Sequence, residues 1–334
     1  MTTLNLSKIF NSNNLVVNHF DLSASAIGEH IPSLNKNYVF NSNSLNEILL
    51  FLTNPFNDCL YISGASGCGK TTAVLQIAAR LGWGVQQITL SNKCESIDLI
   101  GHSTLKKGEL VYEYGALTKA MLNGEILLLN EIDLMSAGDL SVLNDVLDGK
   151  PLTIIANNGE VIYPHKDFRV IATANTKGLG DDTGFYSGAR ILNQAFLDRF
   201  RFLEMSYPSI RTEIITLKQA FPSLSDELTV NLCRMASDIR KIVSDGIENG
   251  TQQLSAPFST RTLLKIAGIL SLNTKYTVED VVKMAFSLRL PKEEQEFISR
   301  LVKDIFGHST VELEKTNVND LGKQIDARTM KKAS

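Results

Sequence analysis

The sequence predicts an α/β fold in which a doubly wound parallel sheet is followed by an all-helical domain. Three observations support this prediction. A glycine-rich stretch at residues 64–71 lies between an apolar strand pattern and a helical pattern. Strand and helix patterns then alternate up to about residue 207, as in parallel sheets covered on both faces. From about Pro208 onward the strand patterns stop and only amphipathic helical patterns follow.

Composition limits the classes of protein to which the chain can belong. With 334 residues it is long enough for two domains, and 43% hydrophobic and 21% charged residues are typical of a soluble globular protein. A net charge of −3 gives no general attraction to nucleic acids or anionic membranes. The start lacks a signal-peptide pattern, and no apolar run approaches the roughly 20 residues of a membrane span. The four cysteines show no metal-ligand spacing, so we expect a cytoplasmic protein with reduced thiols.

We divide the chain into four parts. Residues 1–25 are rich in asparagine and serine and predict a flexible extension. Residues 26–207 form the α/β domain, with inserted hairpins, and residues 208–309 form the helical domain. Residues 310–334 are polar and predict a C-terminal tail.

Within the first domain, the clearest strand is Glu-Ile-Leu-Leu-Leu at residues 125–129. It lacks alternation, which indicates a central parallel strand buried on both faces. The turn Asn157-Asn158-Gly159 indicates a short hairpin. The spacing of apolar residues predicts the other elements. In order, they are helix 45–52, strand 60–62, helix 72–81, strand 85–90, hairpin 103–115, helix 116–122, strand 125–129, helix 142–147, hairpin 152–163 and strand 168–175.

In the second domain, the sequence predicts helices at 210–220, 227–244, 260–270, 278–288 and 291–306. Thr277 with Asp280 resembles a capping box, Pro291 suits a first helical turn, and Gly307 suits a helix end.

The glycine-rich stretch matches the phosphate-loop pattern G-x-x-x-x-G-K-[ST]. Its glycines let backbone N–H groups close around a β-phosphate, and the following helix start adds positive partial charge. Lys70 would reach the β- and γ-phosphates, and the Thr71 hydroxyl would be a ligand of Mg²⁺. The stretch therefore predicts binding of a nucleoside triphosphate. The candidate contacts are Gly64, Ala65, Ser66, Gly67, Cys68, Gly69, Lys70, Thr71 and Thr72.

Two other strands end in polar residues. Strand 125–129 runs into Asn130-Glu131, and strand 168–175 ends at Asn175. Ligands of doubly wound sheets bind at the carboxyl ends of the strands. We therefore expect Lys70, Glu131 and Asn175 at the same edge of the sheet.

This order of motifs resembles the Walker A, Walker B and sensor 1 elements of AAA+ ATPases. The segments TANT (173–176), GLGDDTGFYSG (178–188) and LNQAFLDRF (192–200) narrow the match. Together they resemble the CobS-type ATPase subunit of aerobic cobaltochelatase, in the MoxR-like branch. The resemblance runs from about residue 31 to residue 307. It implies a P-loop NTPase with a helical lid domain that uses ATP and Mg²⁺.

The resemblance also implies roles for individual side chains. Glu131 would polarise the attacking water, and Asn175 would hold that water or the γ-phosphate. Arg199 matches the arginine that related motors project into the neighbouring subunit's site, and Arg201 is close enough to compete for that role. Arg261 lies where the family places its sensor 2 arginine.

Asn130 departs from the family pattern, which usually has Asp at this position. An amide can still accept a hydrogen bond but contributes no negative charge, so Mg²⁺ affinity should fall. Two interpretations stay open. The site is either a drifted but working Walker B element or part of a nucleotide-gated scaffold with little turnover.

The function implied by this resemblance is an ATP-hydrolysing ring motor that remodels a partner protein. A trans-acting arginine requires an assembly, and the family implies a hexamer. The implied partner carries a von Willebrand factor A domain. The two hairpins would face the pore or that partner, or be surface decoration. The alternatives are the ATPase subunit of a cobalt or magnesium chelatase, the scaffold, and a DNA-handling motor, against which the acidic balance argues.

Overall fold

The computed structural model describes residues 2–12, 14–23, 30–181, 183–250, 254–272 and 275–307. The predicted tail 310–334, Asp182, and Met1, Asn13, Ala24 and Ser25 of the predicted extension lie outside these residues. The chain separates into two compact units. The first contains Gly69–Ser206 and the described residues before Ser66. The second contains Ser66–Cys68 and the described residues from Tyr207 onward.

The strands all lie in the first unit. They are β1 Thr2–Asn5, β2 His19–Leu22, β3 Cys59–Ser63, β4 Val85–Thr89, β5 Gly101–Lys106, β6 Glu109–Tyr114, β7 Ile126–Asn130, β8 Leu152–Ile154, β9 Glu160–Ile162, β10 Arg169–Ala174 and β11 Phe200–Glu204.

The helices occupy both units. They are α1 Leu6–Phe10, α2 Ser42–Thr53, α3 Lys70–Leu81, α4 Ser96–Ile100, α5 Ala116–Asn123, α6 Ala137–Leu140, α7 Asn144–Leu147, α8 Gln194–Leu197, α9 Ile210–Ala220, α10 Asp226–Glu248, α11 Thr260–Ser271, α12 Val278–Ala285 and α13 Lys292–Phe306. Within the described residues, no helix combines the length and apolar character that a bilayer crossing requires.

Five strands form the central sheet of the first unit, in the order β11-β3-β10-β7-β4. Every pairing in it is parallel. Each residue of β3, β7 and β10 is buried, which agrees with the lack of alternation in their sequences. The structure therefore confirms the predicted α/β class, and it places the carboxyl ends of β3, β10 and β7 side by side.

Two antiparallel hairpins extend from this unit. One is β5 with β6, and the other is β8 with β9, close to the predicted ranges 103–115 and 152–163. The Tyr114 hydroxyl donates to the Glu160 carboxylate at 2.8 and 2.9 Å, which ties one hairpin to the other. Leu105, Leu110 and Ile155 are exposed on them.

The structure differs from the predicted flexible extension over residues 1–25. There β1 pairs with β2 in an antiparallel ladder, and α1 lies between them. Leu6 and Leu22 are fully buried, and the Phe20 ring stacks on Trp83 with centroids 5.3 Å apart. The asparagines are structural here, since Asn5 caps α1 by accepting a hydrogen bond from the Lys8 N–H.

The second unit contains helices α9 to α13. A buried ion pair joins the first two, because Arg240 of α10 donates to both carboxylate oxygens of Glu213 in α9, at 2.9 and 2.8 Å. The Thr260 hydroxyl at the start of α11 donates to the same carboxylate at 2.8 Å. The capping box of Thr277 and Asp280 is present as predicted.

Candidate nucleotide-binding site

The phosphate loop connects β3 to α3, as the sequence predicts. Gly69, the last residue before α3, has φ 106°, a conformation that residues with a Cβ rarely adopt. Gly67 also has positive φ, at 73°. By their contacts Ser66, Gly67 and Cys68 belong to the second unit, where the Tyr207 hydroxyl donates to the Ser66 carbonyl at 3.0 Å.

Lys70 is the first residue of α3 and is 7% exposed. Its Nζ donates to the carbonyl oxygens of Gly64 at 2.7 Å and Ala65 at 3.2 Å. It also donates to Oδ1 of Asn175 at 3.0 Å. The ammonium group is therefore held over the loop, where a phosphate would compete with these neutral acceptors.

Asn175 links this lysine to Glu131. Its Nδ2 donates to Oε2 of Glu131 at 2.7 Å, while its Oδ1 accepts from Lys70. Asn175 follows β10 and Glu131 follows β7, and these strands are parallel neighbours. The structure thus brings together the three side chains that the sequence places at one edge of the sheet. A cation, an amide and a carboxylate can there bind a phosphate and orient a water molecule.

Thr71 and Asn130 lie next to this group. The Thr71 hydroxyl donates to Oδ1 of Asn130 at 2.6 Å, and the Thr173 hydroxyl donates to the same oxygen at 3.0 Å. Because the Thr71 proton points to Asn130, the lone pairs of the Thr71 oxygen remain for a cation. A hydroxyl oxygen is a ligand that Mg²⁺ accepts, so the arrangement fits the ion.

The amide of Asn130 fits Mg²⁺ less well than a carboxylate would. Asn130 is 5% exposed, and its Nδ2 is buried without a hydrogen-bond partner among the described residues. A metal-bound water directs its protons away from the metal and needs an acceptor, not a second donor.

Sequence reasoning gave Asp133 and Thr176 no role, although Thr176 is the last residue of the quoted TANT motif and Asp133 lies two positions after Glu131. Oδ2 of Asp133 accepts hydrogen bonds from the Thr176 hydroxyl at 2.7 Å and N–H at 3.2 Å. Burial raises the pKa of the nearby Tyr61 phenol, and the charge of Asp133 raises it further. The available signal was Asp133 itself, a carboxylate two positions after the candidate base.

The structure does not place Arg199 and Arg201 at the loop. The Arg199 carbonyl accepts from the N–H of Cys59, which begins β3, whereas the loop follows the last residue of β3. The intervening strand is about 13 Å long. The Arg199 side chain makes a bidentate pair with Asp148, at 2.6 and 3.1 Å.

Arg201 also lies away from the loop, whereas Arg261 lies near Gly67. The Arg201 side chain pairs with both oxygens of Asp58, at 2.9 and 3.0 Å. Arg261 is in the first turn of α11, in the second unit with Gly67, and its Cβ lies 3.7 Å from the position that a Cβ on Gly67 would take. The roles predicted for all three arginines stay predictions.

Comparisons with known proteins identify relatives that match the segment containing this site. Residues 60–200 match the family model described as the AAA domain of the dynein-related subfamily. The aerobic cobaltochelatase subunit CobS of a Sinorhizobium species is 35% identical over 51% of this chain. This chain spans about half the length of that relative, 52%.

Two further relatives cover more of the chain. Protein NorQ of Paracoccus denitrificans is 29% identical over 61% of this chain and 73% of its own length. The mouse von Willebrand factor A domain-containing protein 8 is 26% identical over 72% of this chain, which corresponds to 14% of that protein. Over residues 60–200 the chain therefore carries an AAA domain of the dynein-related subfamily, and it is similar to the CobS and NorQ relatives over 51% and 61% of its length.

Proposed function

We propose that this protein binds and hydrolyses ATP with Mg²⁺ and uses the cycle, as a subunit of a ring, to remodel a partner protein. The observation that carries this proposal is the hydrogen-bonded chain from Lys70 through Asn175 to Glu131, beside the phosphate loop. The amide of Asn175 accepts a hydrogen bond from the cation and donates one to the carboxylate, so both groups lie beside the phosphate loop, where a phosphate and a water can engage them.

In this proposal each side chain has one task. Lys70 and the loop N–H groups bind the β- and γ-phosphates. Glu131 accepts a hydrogen bond from the attacking water and orients it, and Asn175 holds Glu131 and the water in line. Thr71 ligates Mg²⁺, with its hydroxyl proton fixed by Asn130. When bound, Mg²⁺ would neutralise charge on the transferred phosphoryl group.

Arg199 acts in the neighbouring subunit. Within its own chain, the Arg199 carbonyl accepts a hydrogen bond from the first residue of β3, while the loop follows the last residue of β3. Arg199 and the loop therefore lie at opposite ends of this strand. A guanidinium at the amino end of β3 suits a phosphate of the next subunit, because its fork matches the equatorial oxygens. This arrangement supports a closed ring, which we propose is a hexamer, with Arg261 contributing from the helical unit.

The partner we propose carries a von Willebrand factor A domain. The support is the mouse relative, whose name records such a domain, and the likeness to CobS. Participation in a cobalt or magnesium chelatase is a narrower version of the same proposal and rests on the CobS relative alone.

One observation favours a second candidate function, a nucleotide-gated scaffold with little turnover. The Nδ2 of Asn130, which has no partner among the residues that the structure describes, offers a donor where water bound to Mg²⁺ needs an acceptor. A scaffold would still bind ATP through Lys70 but would release phosphate slowly even at saturating Mg²⁺.

Three variants of the full chain test the proposal. Lys70→Ala should abolish binding of a fluorescent ATP analogue. Glu131→Gln should bind it normally yet release phosphate about 10²–10⁴ times more slowly. The exposed Glu47→Gln is the matched control and should behave as the parent. Equal phosphate release by the parent and Glu131→Gln would reject ATP hydrolysis at this site, and a parent that is nearly inert but binds ATP would favour the scaffold.

A further inference from the structure

The chain reverses direction directly after β7, at Glu131. This residue has φ 56° and ψ 45°, in the left-handed region. The next three residues, Ile132–Leu134, form one tight turn that closes when the Leu134 N–H donates to the Glu131 carbonyl at 3.0 Å. The turn leaves the Glu131 carboxylate at the strand end and brings Asp133 to the end of the neighbouring strand β10.

At that end, Asp133 binds Thr176 through its hydroxyl and its N–H. Both residues are buried, with Asp133 at 1% and Thr176 at 8% exposure. Thr176 is tied on two further sides. Its carbonyl accepts from the Tyr61 hydroxyl at 3.2 Å, and its hydroxyl oxygen accepts from the Gly178 N–H at 3.3 Å. The residue after Asn175 is therefore fixed to the turn that follows β7, to β3 and to the following loop.

This contact and the catalytic contact join the same two segments. Glu131 bonds Asn175, and Asp133 bonds Thr176, so two side-chain bridges lie one or two residues apart. A hydrogen bond between the tips of Glu131 and Asn175 keeps its geometry only while the two backbones stay at one separation. The second bridge holds that separation and is shielded from water.

The second oxygen of Asp133 shows that a structural need alone does not explain the residue. Oδ1 is buried without a hydrogen-bond partner in the described part of the chain. A neutral acceptor could make the same two bonds without burying an unmatched charged oxygen, which is costly. Hydrogen bonds to a carboxylate are about twice as strong as hydrogen bonds between neutral groups. The carboxylate of Asp133 therefore holds Thr176 more strongly than a neutral side chain would.

We propose that Asp133 and Thr176 form a clamp that positions Asn175 and Glu131 for hydrolysis. The proposal rests on the proposed function and adds two positioning residues to it. Neither residue touches the substrate. The clamp sets the backbone from which Asn175 reaches both Lys70 and Glu131, so its loss should reduce turnover without weakening nucleotide binding.

Substitutions at Thr176 test the clamp in the full chain. Thr176→Val keeps the shape but removes the hydroxyl, and it should lower kcat about ten- to a hundredfold, the loss expected from a misplacement of about 1 Å. KM and the dissociation constant of a fluorescent ADP analogue should stay within about twofold of the parent. Thr176→Ser restores the hydroxyl and should restore most of the turnover.

The matched control is Thr118→Val. Thr118 is fully buried in the same unit, and its hydroxyl donates to the Ile100 carbonyl at 2.7 Å. This control loses an equivalent buried hydrogen bond and should keep the parent kcat. Thermal melts confirm that the variants fold. If Thr176→Val does not fold, Asp133→Ala, which removes the acceptor of both bonds, carries the test with the same expected loss of kcat.

A double substitution separates positioning from general damage. In an Asn175→Ala background, Thr176→Val should cause no further loss of kcat, because the clamp acts through the missing side chain. A full additional loss, an unchanged kcat in folded Thr176→Val, or failure of Thr176→Ser to recover turnover would overturn the clamp while leaving the proposed function intact. A parent no faster than Glu131→Gln would overturn both.

Discussion

Replacing Asn130 with Asp removes a buried amide donor at the metal side of the site. In the structure, Oδ1 of Asn130 accepts the Thr71 and Thr173 hydroxyls while Nδ2 has no partner among the described residues. An aspartate keeps both accepted bonds and replaces Nδ2 by a second oxygen. That oxygen can accept a hydrogen bond from a water bound to Mg²⁺.

Two effects of opposite sign determine how Asn130→Asp changes the stability of the empty site. A carboxylate at a position only 5% exposed is costly to bury, but the substitution also relieves an unsatisfied donor, which is worth about 1–3 kcal/mol. The remaining gain is the attraction of the new charge for Mg²⁺ through one water, about 1–2 kcal/mol. Since 1.4 kcal/mol is about tenfold, Asn130→Asp should lower the half-maximal Mg²⁺ concentration roughly five- to thirtyfold.

The assay is steady-state phosphate release against Mg²⁺ concentration for parent and variant, with thermal melts at each concentration. Melting temperature should rise at lower Mg²⁺ in the variant, which reports binding without turnover. Asn41→Asp is the control, because it adds the same charge at the exposed cap of α2. If the parent hydrolyses ATP and both midpoints are unchanged in Asn130→Asp, the assignment of Asn130 to the metal is refuted.

Arg199→Ala should leave ATP binding intact and abolish phosphate release. Mixing it with Glu131→Gln subunits should restore activity at interfaces that combine an intact Arg199 with an intact Glu131, and mixed rings without any recovery would contradict a shared site. In the helical unit, Glu213→Ala should lower the free energy of unfolding by about 3–5 kcal/mol, because it leaves Arg240 buried without its partner. Urea denaturation followed by far-UV circular dichroism measures this change. Glu296→Ala, which removes an exposed pair, should leave the midpoint almost unchanged, and an equal effect of both substitutions would contradict the reasoning.

The sheet and the site edge were predictable because local sequence determines them. Residues 126–129 are apolar without alternation, and such a run is typical of a strand covered on both faces. Parallel strands then place their following residues at a common edge, so Glu131 and Asn175 meet wherever β7 and β10 are neighbours. The phosphate loop needs backbone conformations with positive φ, and its sequence has glycines at positions 64, 67 and 69, where these conformations occur.

The parts that were missed depend on contacts between distant residues. The N-terminal strand pair is stabilised by burying Leu6 and Leu22, and asparagine-rich composition gives no sign of that burial. The bond between Asp133 and Thr176 spans 43 positions, and the pair of Arg199 with Asp148 spans 51. No periodicity or spacing rule encodes such pairs, because each follows from the assembled sheet.

The backbone conformation of residue 131 sets thermal stability against the proposed catalytic role of its side chain. A side chain other than glycine in the left-handed region costs about 1–2 kcal/mol, and at φ 56° Glu131 bears that cost permanently. Glycine would suit this turn better, so Glu131→Gly should raise thermal stability in the chain that has lost its candidate base. Selection for heat resistance alone would therefore drift toward an inactive protein at this position, and a thermostabilised version of the chain has to hold residue 131 fixed.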